Sequence, residues 1–251
     1  MADLFNIIPD RCENNSLGSS SAQPPIPQRH SSFYIDGFNL YHSICDLDNP
    51  AALSPIPNIK ALKWCDMYKL AESFNAKIKN SQLKDVFFFT ATPHHRHFNT
   101  GQIDRHINYC NALRHTNVKV IEGKFSHNKE KQTDTNLAVQ VVADVLLGKV
   151  DSVFILSNDS DIIPIIKKIL EVKPQISVAV IKPPSIKYSK IKPDGGVSVY
   201  ETTFLSNDIK IVMDNYYKGR NFNRIYELKP SQLLEFPLPD FINDSAKNPY
   251  K

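Results

Sequence analysis

Phe33-Tyr34-Ile35-Asp36-Gly37-Phe38-Asn39-Leu40-Tyr41-His42 opens as an apolar run and ends that run on an acid, a glycine and an asparagine. This is the pattern of a buried strand that delivers polar side chains at its carboxyl end just before a helix starts. Asp36 then has two readings. Asp-Gly-x-Asn can turn the chain and cap the next helix through short polar side chains, or the carboxylate can belong to a site at the strand end. A second stretch favours the site, because Val153-Phe154-Ile155-Leu156-Ser157-Asn158-Asp159-Ser160-Asp161 is again an apolar run ending in carboxylates.

Between and beyond these stretches, strand and helix patterns alternate. Residues 83–90, Leu-Lys-Asp-Val-Phe-Phe-Phe-Thr, end in the β-prone run of a central strand covered on both faces. Further strands are predicted at 118–121, 150–157 and 176–181. Helices are predicted at 40–45, 59–75, 98–115, from 133 or 134 onward, and at 162–172, where Pro164 is tolerated in the first turn. Residues 122–132 read as a loop bearing Gly123 and lysines. Such alternation argues a Rossmann-like three-layer α/β sandwich with a mostly parallel central sheet. Residues 1–31 include the Ser, Pro and Asn-rich stretch Asn14 to Pro27 and are expected to form a disordered tail. The ordered domain is expected over 32–205, and 206–251 as a C-terminal extension of one helix and an irregular tail.

Composition narrows the classes of function. The 251 residues are 41% hydrophobic and 22% charged, which suits a soluble globular chain with one α/β core. A net charge of +4 permits a polyanionic partner without requiring one. Cys12, Cys45, Cys65 and Cys110 are widely spaced with no CxxC pair, which argues against a disulfide framework or a zinc knuckle. No apolar run approaches the roughly 18 residues of a membrane span, and the first residues lack the layout of a signal peptide. A cytoplasmic location without membrane contact is therefore expected. His94, His95 and His97 crowd into one loop around Arg96, where they cannot all converge on a zinc ion. That loop is expected to be solvated at the same edge as Asp36, where Arg96 would meet phosphates.

In sheets of this kind, the ligand site lies outside the carboxyl ends of the strands. Asp36, Asp134, Asp159 and Asp161 each follow a predicted strand and precede a helix, so all four fall on that edge. Asp134 is either an N-cap, a role worth about 1 kcal/mol, or a metal-binding carboxylate at the junction. Crowded carboxylates raise one another's pKa unless a cation neutralises them, and an all-oxygen set suits Mg²⁺ or Mn²⁺ better than zinc.

Three motifs, Phe33-Tyr34-Ile35-Asp36-Gly37-Phe38-Asn39, Lys131-x-x-Asp134-x-x-Leu137-Ala138-Val139 and Ser157-Asn158-Asp159-Ser160-Asp161-x-x-Pro164, resemble in order and spacing the NYN domain, the PIN-like ribonuclease fold of the LabA-like group. The resemblance covers roughly residues 32 to 182. It implies a metal-dependent endoribonuclease in which Asp36, Asp134, Asp159 and Asp161 form the catalytic, metal-holding set, supported by Asn39 and Ser157. This chain departs from the pattern at Gln140, six residues after Asp134, where many members carry another acid. The departure implies a weaker metal site, recruitment of Asp144 one turn later, or a module that binds RNA or protein without cleaving. A small-molecule phosphohydrolase is a third reading. Asp36-Gly37-Phe38 counts against it, because it lacks a second acid after the first strand.

The basic stretch Lys182-Pro183-Pro184-Ser185-Ile186-Lys187-Tyr188-Ser189-Lys190-Ile191-Lys192 interleaves four lysines with a tyrosine and contains no acid. It suits a strand of RNA whose backbone is followed and whose base is stacked, or else is a solvated loop before Gly195-Gly196. Lys124, Lys129 and Lys131 would complete a cationic rim, diluted by Glu122 and Glu130. RNA, single-stranded or structured, is the expected partner. Beyond residue 196 an edge strand at 197–201, a helix at 206–217 and an extended segment at 224–229 are predicted. They either cover the sheet edge or contact a second copy or a protein partner.

Overall fold

A seven-stranded sheet organises the chain. The computed structural model describes residues 27–47, 59–92, 100–126, 129–185, 187–191, 197–201, 207–216 and 225–238. In chain order the elements are β1 (Arg29–Asp36), α1 (Gly37–Asp46), α2 (Ile59–Leu62), α3 (Met67–Asn75), β2 (Ser81–Ala91), α4 (Thr100–His115), β3 (Val118–Ser126), β4 (Lys129–Lys131), α5 (Thr133–Leu146), β5 (Ser152–Leu156), α6 (Ile162–Val172), β6 (Ser177–Lys182), β7 (Lys187–Ile191), β8 (Val197–Glu201), α7 (Asn207–Tyr216), β9 (Ile225–Glu227) and α8 (Pro230–Glu235). The sheet runs β4-β3-β2-β1-β5-β6-β9, and β7 with β8 forms a separate ribbon. Every neighbouring pair in the main sheet is parallel except β3 and β4. Six parallel strands flanked by helices make the Rossmann-like α/β sandwich expected from the alternation.

Strand periodicity sends alternate residues of β1 into two different cores. Phe33 and Ile35 join Leu40 and Ile44 of α1 and Met67, Leu70 and Phe74 of α3 on one face. Tyr34 joins Leu137, Val141 and Val145 of α5 and Ile162, Ile166 and Ile169 of α6 on the other. Phe33 stacks on Phe154 at 5.6 Å between ring centres, and Tyr34 on Phe87 at 5.3 Å. Each such buried ring contributes about 2–3 kcal/mol by leaving water. Because both faces are covered, the central strands read as unbroken apolar runs.

Four expectations need correction. The stretch 122–132 is not a loop: β3 runs on to Ser126 and returns as β4, with Lys124 opposite Lys131. The helix expected over 59–75 is broken into α2 and α3. There Asp66 accepts from the Tyr68 and Lys69 amides as the cap of α3, while its own N–H donates to the Phe236 carbonyl at 2.6 Å. The lysine-bearing stretch after β6 forms β7, paired with β8. Finally, where the C-terminal extension is described, over 207–216 and 225–238, it packs against the domain. Ile209 and Met213 of α7 and Leu228 and Leu233 near α8 are buried in the two cores, and β9 pairs with β6. At the other end the sheet starts at Arg29, inside the expected tail, whose residues 1–26 lie outside the described residues. Among the described residues no helix is long and apolar enough to cross a membrane.

Candidate functional site

The strand order changes direction between β1 and β5. From β1 the chain leaves toward β2, and from β5 toward β6. The crevice outside the carboxyl ends at such a reversal is where open α/β sheets bind ligands. Ile35 pairs with Leu156, so Asp36 and Ser157 leave the sheet side by side at that point.

Hydrogen bonds tie the two strand ends together. Ser157 Oγ donates to Asp36 Oδ2 at 2.9 Å and accepts from the Asp159 N–H at 3.0 Å. The Asn39 N–H donates to Asp36 Oδ1 at 2.9 Å, and Asn39 Oδ1 accepts from the Asn158 N–H at 2.9 Å. Asp36 is thus the N-cap of α1 and at the same time a buried carboxylate at the carboxyl end of β1. Gly37 is required by close approach. A Cβ there would lie 2.6 Å from the Phe89 carbonyl and 2.5 Å from the Phe88 ring, both on β2.

The other three acids sit on the same edge by different devices. Asp134 is not an N-cap: α5 begins after Gln132, whose backbone is left-handed at φ 74° and whose side chain makes no cap, and Asp134 lies in the first turn. There the positive end of the helix favours an anion. Asp161 occupies the cap position of α6 without a capping bond from its side chain. Asp159 Oδ1 accepts from the Asp161 N–H at 3.0 Å, which fixes the turn between them.

These carboxylates act on one another. Burial pushes the Asp36 carboxyl up to about 6, with Asp134 and Asp159 adding to the rise and the bonds from Asn39 and Ser157 opposing it. Asp134 is raised by partial desolvation first and by Asp159 and Asp161 second. Among the described residues no three Asp, Glu, His or Cys side chains are gathered closely enough to grip one ion together. The donor chemistry still fits a hard cation. It is all oxygen, it carries mutual repulsion, and the buried Thr133 Oγ1 and Asn158 Oδ1, next in sequence to Asp134 and Asp159, have no hydrogen-bond partner. Mg²⁺ usually keeps several waters and takes only one or two carboxylates directly, which such a spread set can offer.

Asp144 and Gln140 belong elsewhere. Asp144 is buried ten residues along α5, about 15 Å from Asp134 at ~1.5 Å per residue. It accepts from Tyr34 Oη at 3.0 Å, Gln140 Nε2 at 2.8 Å and Lys149 Nζ at 3.1 Å. Recruitment of Asp144 to the acidic edge is therefore replaced by a closed network in which Gln140 is a donor.

The basic residues divide. Lys124 and Lys131 are exposed and face each other across the β3–β4 hairpin. Glu122, which would dilute their charge, is bonded by Thr92 and Arg114 and lies below the usual carboxylate range mainly through the Thr92 bond. Lys182 is only 13% exposed and pairs with Glu227 of β9 at 3.8 Å, so it is held against the sheet edge. Lys187, Tyr188 and Lys190 fall on β7 opposite Glu201, Tyr200 and Ser198. Arg96 and Lys192 lie outside the described residues. Sequence reasoning missed Asn158 and Thr133. Their only local signal is adjacency to the acids.

Comparison with protein-family profiles finds no match. The chain is similar to the 6-hydroxy-3-succinoylpyridine 3-monooxygenase HspA of Pseudomonas putida (strain DSM 28022 / S16), with 26% identity over 196 residues, 61% of this chain and 59% of that protein. It thus spans less than two thirds of that relative's length. Among solved structures it is similar to VPA0982 of Vibrio parahaemolyticus, a protein of unknown function. The identity is 11% and the TM-score 0.45, over 84% of this chain and 97% of that one.

Proposed function

We propose that this chain is a metal-dependent endoribonuclease of the NYN, PIN-like type that works at the crevice between β1 and β5. The observation that carries the reading is the buried Asp36, bonded to Ser157 at the reversal of strand order and raised to about 6 with Asp134 and Asp159 contributing. A bound Mg²⁺ or Mn²⁺ supplies a water of lowered pKa and neutralises charge on the phosphodiester. Asp36, Asp134, Asp159 and Asp161 would hold it. Ser157 and Asn39 orient Asp36 so that its carboxylate does not swing away. Lys124 and Lys131, joined by Lys187, Lys190 and Lys192, would attract the phosphate backbone.

Purified full chain should cut a labelled RNA with Mg²⁺ or Mn²⁺ and stop in EDTA. Asp36→Asn should lower the rate by more than about 100-fold, because even residues that only orient metal ligands are worth 10–100-fold. RNA left intact by wild type at millimolar Mn²⁺ sinks the enzyme reading, and retained RNA binding would then leave a non-cleaving module.

A second reading comes from the relative in Pseudomonas putida, a monooxygenase by its name. An enzyme of that kind that used a dinucleotide would be expected to present glycines to its pyrophosphate after the first strand. This chain presents the acid Asp36 and the single Gly37 there, so the nuclease reading comes first. Oxygen and NADH consumption with a hydroxypyridine, without RNA cleavage, would reverse the order.

A further inference from the structure

The outer face of α5 carries no charge, unlike those of α3, α4 and α6. Lys69 and Glu72 of α3, Asp104 and Arg114 of α4, and Lys167, Lys168 and Glu171 of α6 are all exposed. On α5 the one charged residue after Asp134 is Asp144, which is buried. Val139, 63% exposed, and Leu146, 59% exposed, instead stand seven residues apart on one face with partly buried Val142 between them, and Leu147, 69% exposed, follows at the helix end. A helix that is apolar on its outer as well as its inner face is one that something covers.

The size and the place of this strip select what covers it. Exposed parts of three Val and Leu side chains amount to about 300 Å², well short of the roughly 800 Å² that each subunit of a stable dimer gives up. A short segment tethered to the same chain needs less, because the tether holds it at a millimolar effective concentration. The end of α5 and the start of β1 lie at one edge of the sheet: the Asp151 N–H donates to the His30 carbonyl at 2.7 Å, and the His30 N–H donates to Asp151 Oδ2 at 3.1 Å. Leu147 is four residues before Asp151, at most about 14 Å of chain. Ahead of β1 come residues 1–26, outside the described residues, whose apolar cluster is Leu4-Phe5-Asn6-Ile7-Ile8. The 18 residues from Pro9 to Ile26 reach up to ~60 Å, and the strip from Val139 to Leu147 is ~12 Å long. Residues 239–251, by contrast, leave from Leu238, which packs with Ala112 of α4 under the other face of the sheet.

We propose that Leu4, Phe5, Ile7 and Ile8 pack on Val139, Val142, Leu146 and Leu147, so that the start of the chain covers the outer face of α5. This does not depend on the nuclease reading. The test is trypsin cleavage of the full chain after Arg11, three residues beyond Ile8, because a protease reaches a bond beside a docked segment only when that segment is released. Combined Val139→Asp and Leu146→Asp, both at exposed positions, should speed this cleavage at least about tenfold. Phe5→Asp, which leaves α5 untouched, should speed it as much, and the three changes together should add nothing further, as two halves of one contact require. Equal cleavage of wild type and all variants overturns the proposal, and so do effects that add. Light scattering examines the other occupant: a wild-type dimer that the α5 changes dissociate would make it a second copy and overturn the docked segment.

Discussion

Asp36 and Asp144 are both buried carboxylates on the same side of the sheet, yet their surroundings are opposite. Asp144 receives three donors, one of them the Lys149 ammonium. Asp36 receives two neutral donors, Ser157 and the Asn39 amide, and is faced by Asp134 and Asp159. A buried acid with its own cation is part of the framework. One without it keeps an unfavourable charge that an added ion can relieve. The same two elements, β1 and α5, carry both arrangements, since Tyr34 lies two residues before Asp36 and Asp134 ten before Asp144.

The sharpest break of this comparison comes from Asp144→Ala. It leaves the Tyr34 hydroxyl and Lys149 without their acceptor and should lower stability by about 2–4 kcal/mol in urea unfolding. If Mn²⁺ binds at the acidic edge as proposed, the rise in Tm it gives wild type should be kept in this variant, since position 144 lies about 15 Å along α5 from Asp134. Loss of that rise would merge the two sites.

Next in size is a pH effect on the metal-free protein. The Asp36 carboxyl titrates near 6 in the fold against 3.8 ordinarily, so the unfolded chain releases its proton first. Below about pH 3 both states are protonated and Asp36 costs nothing. As pH rises to about 6, stability should fall by about 2–3 kcal/mol. The difference between wild type and Asp36→Asn, followed over this window, isolates the effect. A flat difference would mean that Asp36 is as well paired as Asp144.

The smallest expected change is Gln140→Glu. The new carboxylate would replace a donor 2.8 Å from Asp144 and should cost about 1–2 kcal/mol. It should not improve Mn²⁺ affinity, because position 140 lies about 9 Å along α5 from Asp134. Tighter Mn²⁺ binding by isothermal titration would restore Gln140 to the acidic edge.

Asp36, Asp159 and Asp161 stand out in the sequence because an apolar run ends there and a helical pattern follows, whereas Asp134 follows the charged Lys129–Lys131 and is marked only by the helix it opens. The β3–β4 hairpin was not legible. Lys124, Lys129, Glu130 and Lys131 give no apolar alternation, and a short charged strand at the sheet edge leaves no hydrophobic period to read. The break between α2 and α3 was hidden for the opposite reason, since Leu62, Cys65, Met67 and Leu70 continue the apolar stripe through it. Asp66 stops the helix there because residues 236–238, from the far end of the chain, take the backbone bonds.

By itself, then, the sequence determined the α/β class and which residues stand at strand ends, because burial on both faces and strand-to-helix junctions are local patterns. Only the tertiary structure decided that β1 and β5 are neighbours, so that Ser157 bonds Asp36, and that Lys149 and Tyr34 rather than a crevice ion satisfy Asp144. The physical reason is that a buried polar group takes whichever donor packing brings within about 3 Å, and packing joins elements whose separation in the chain says nothing of their separation in space.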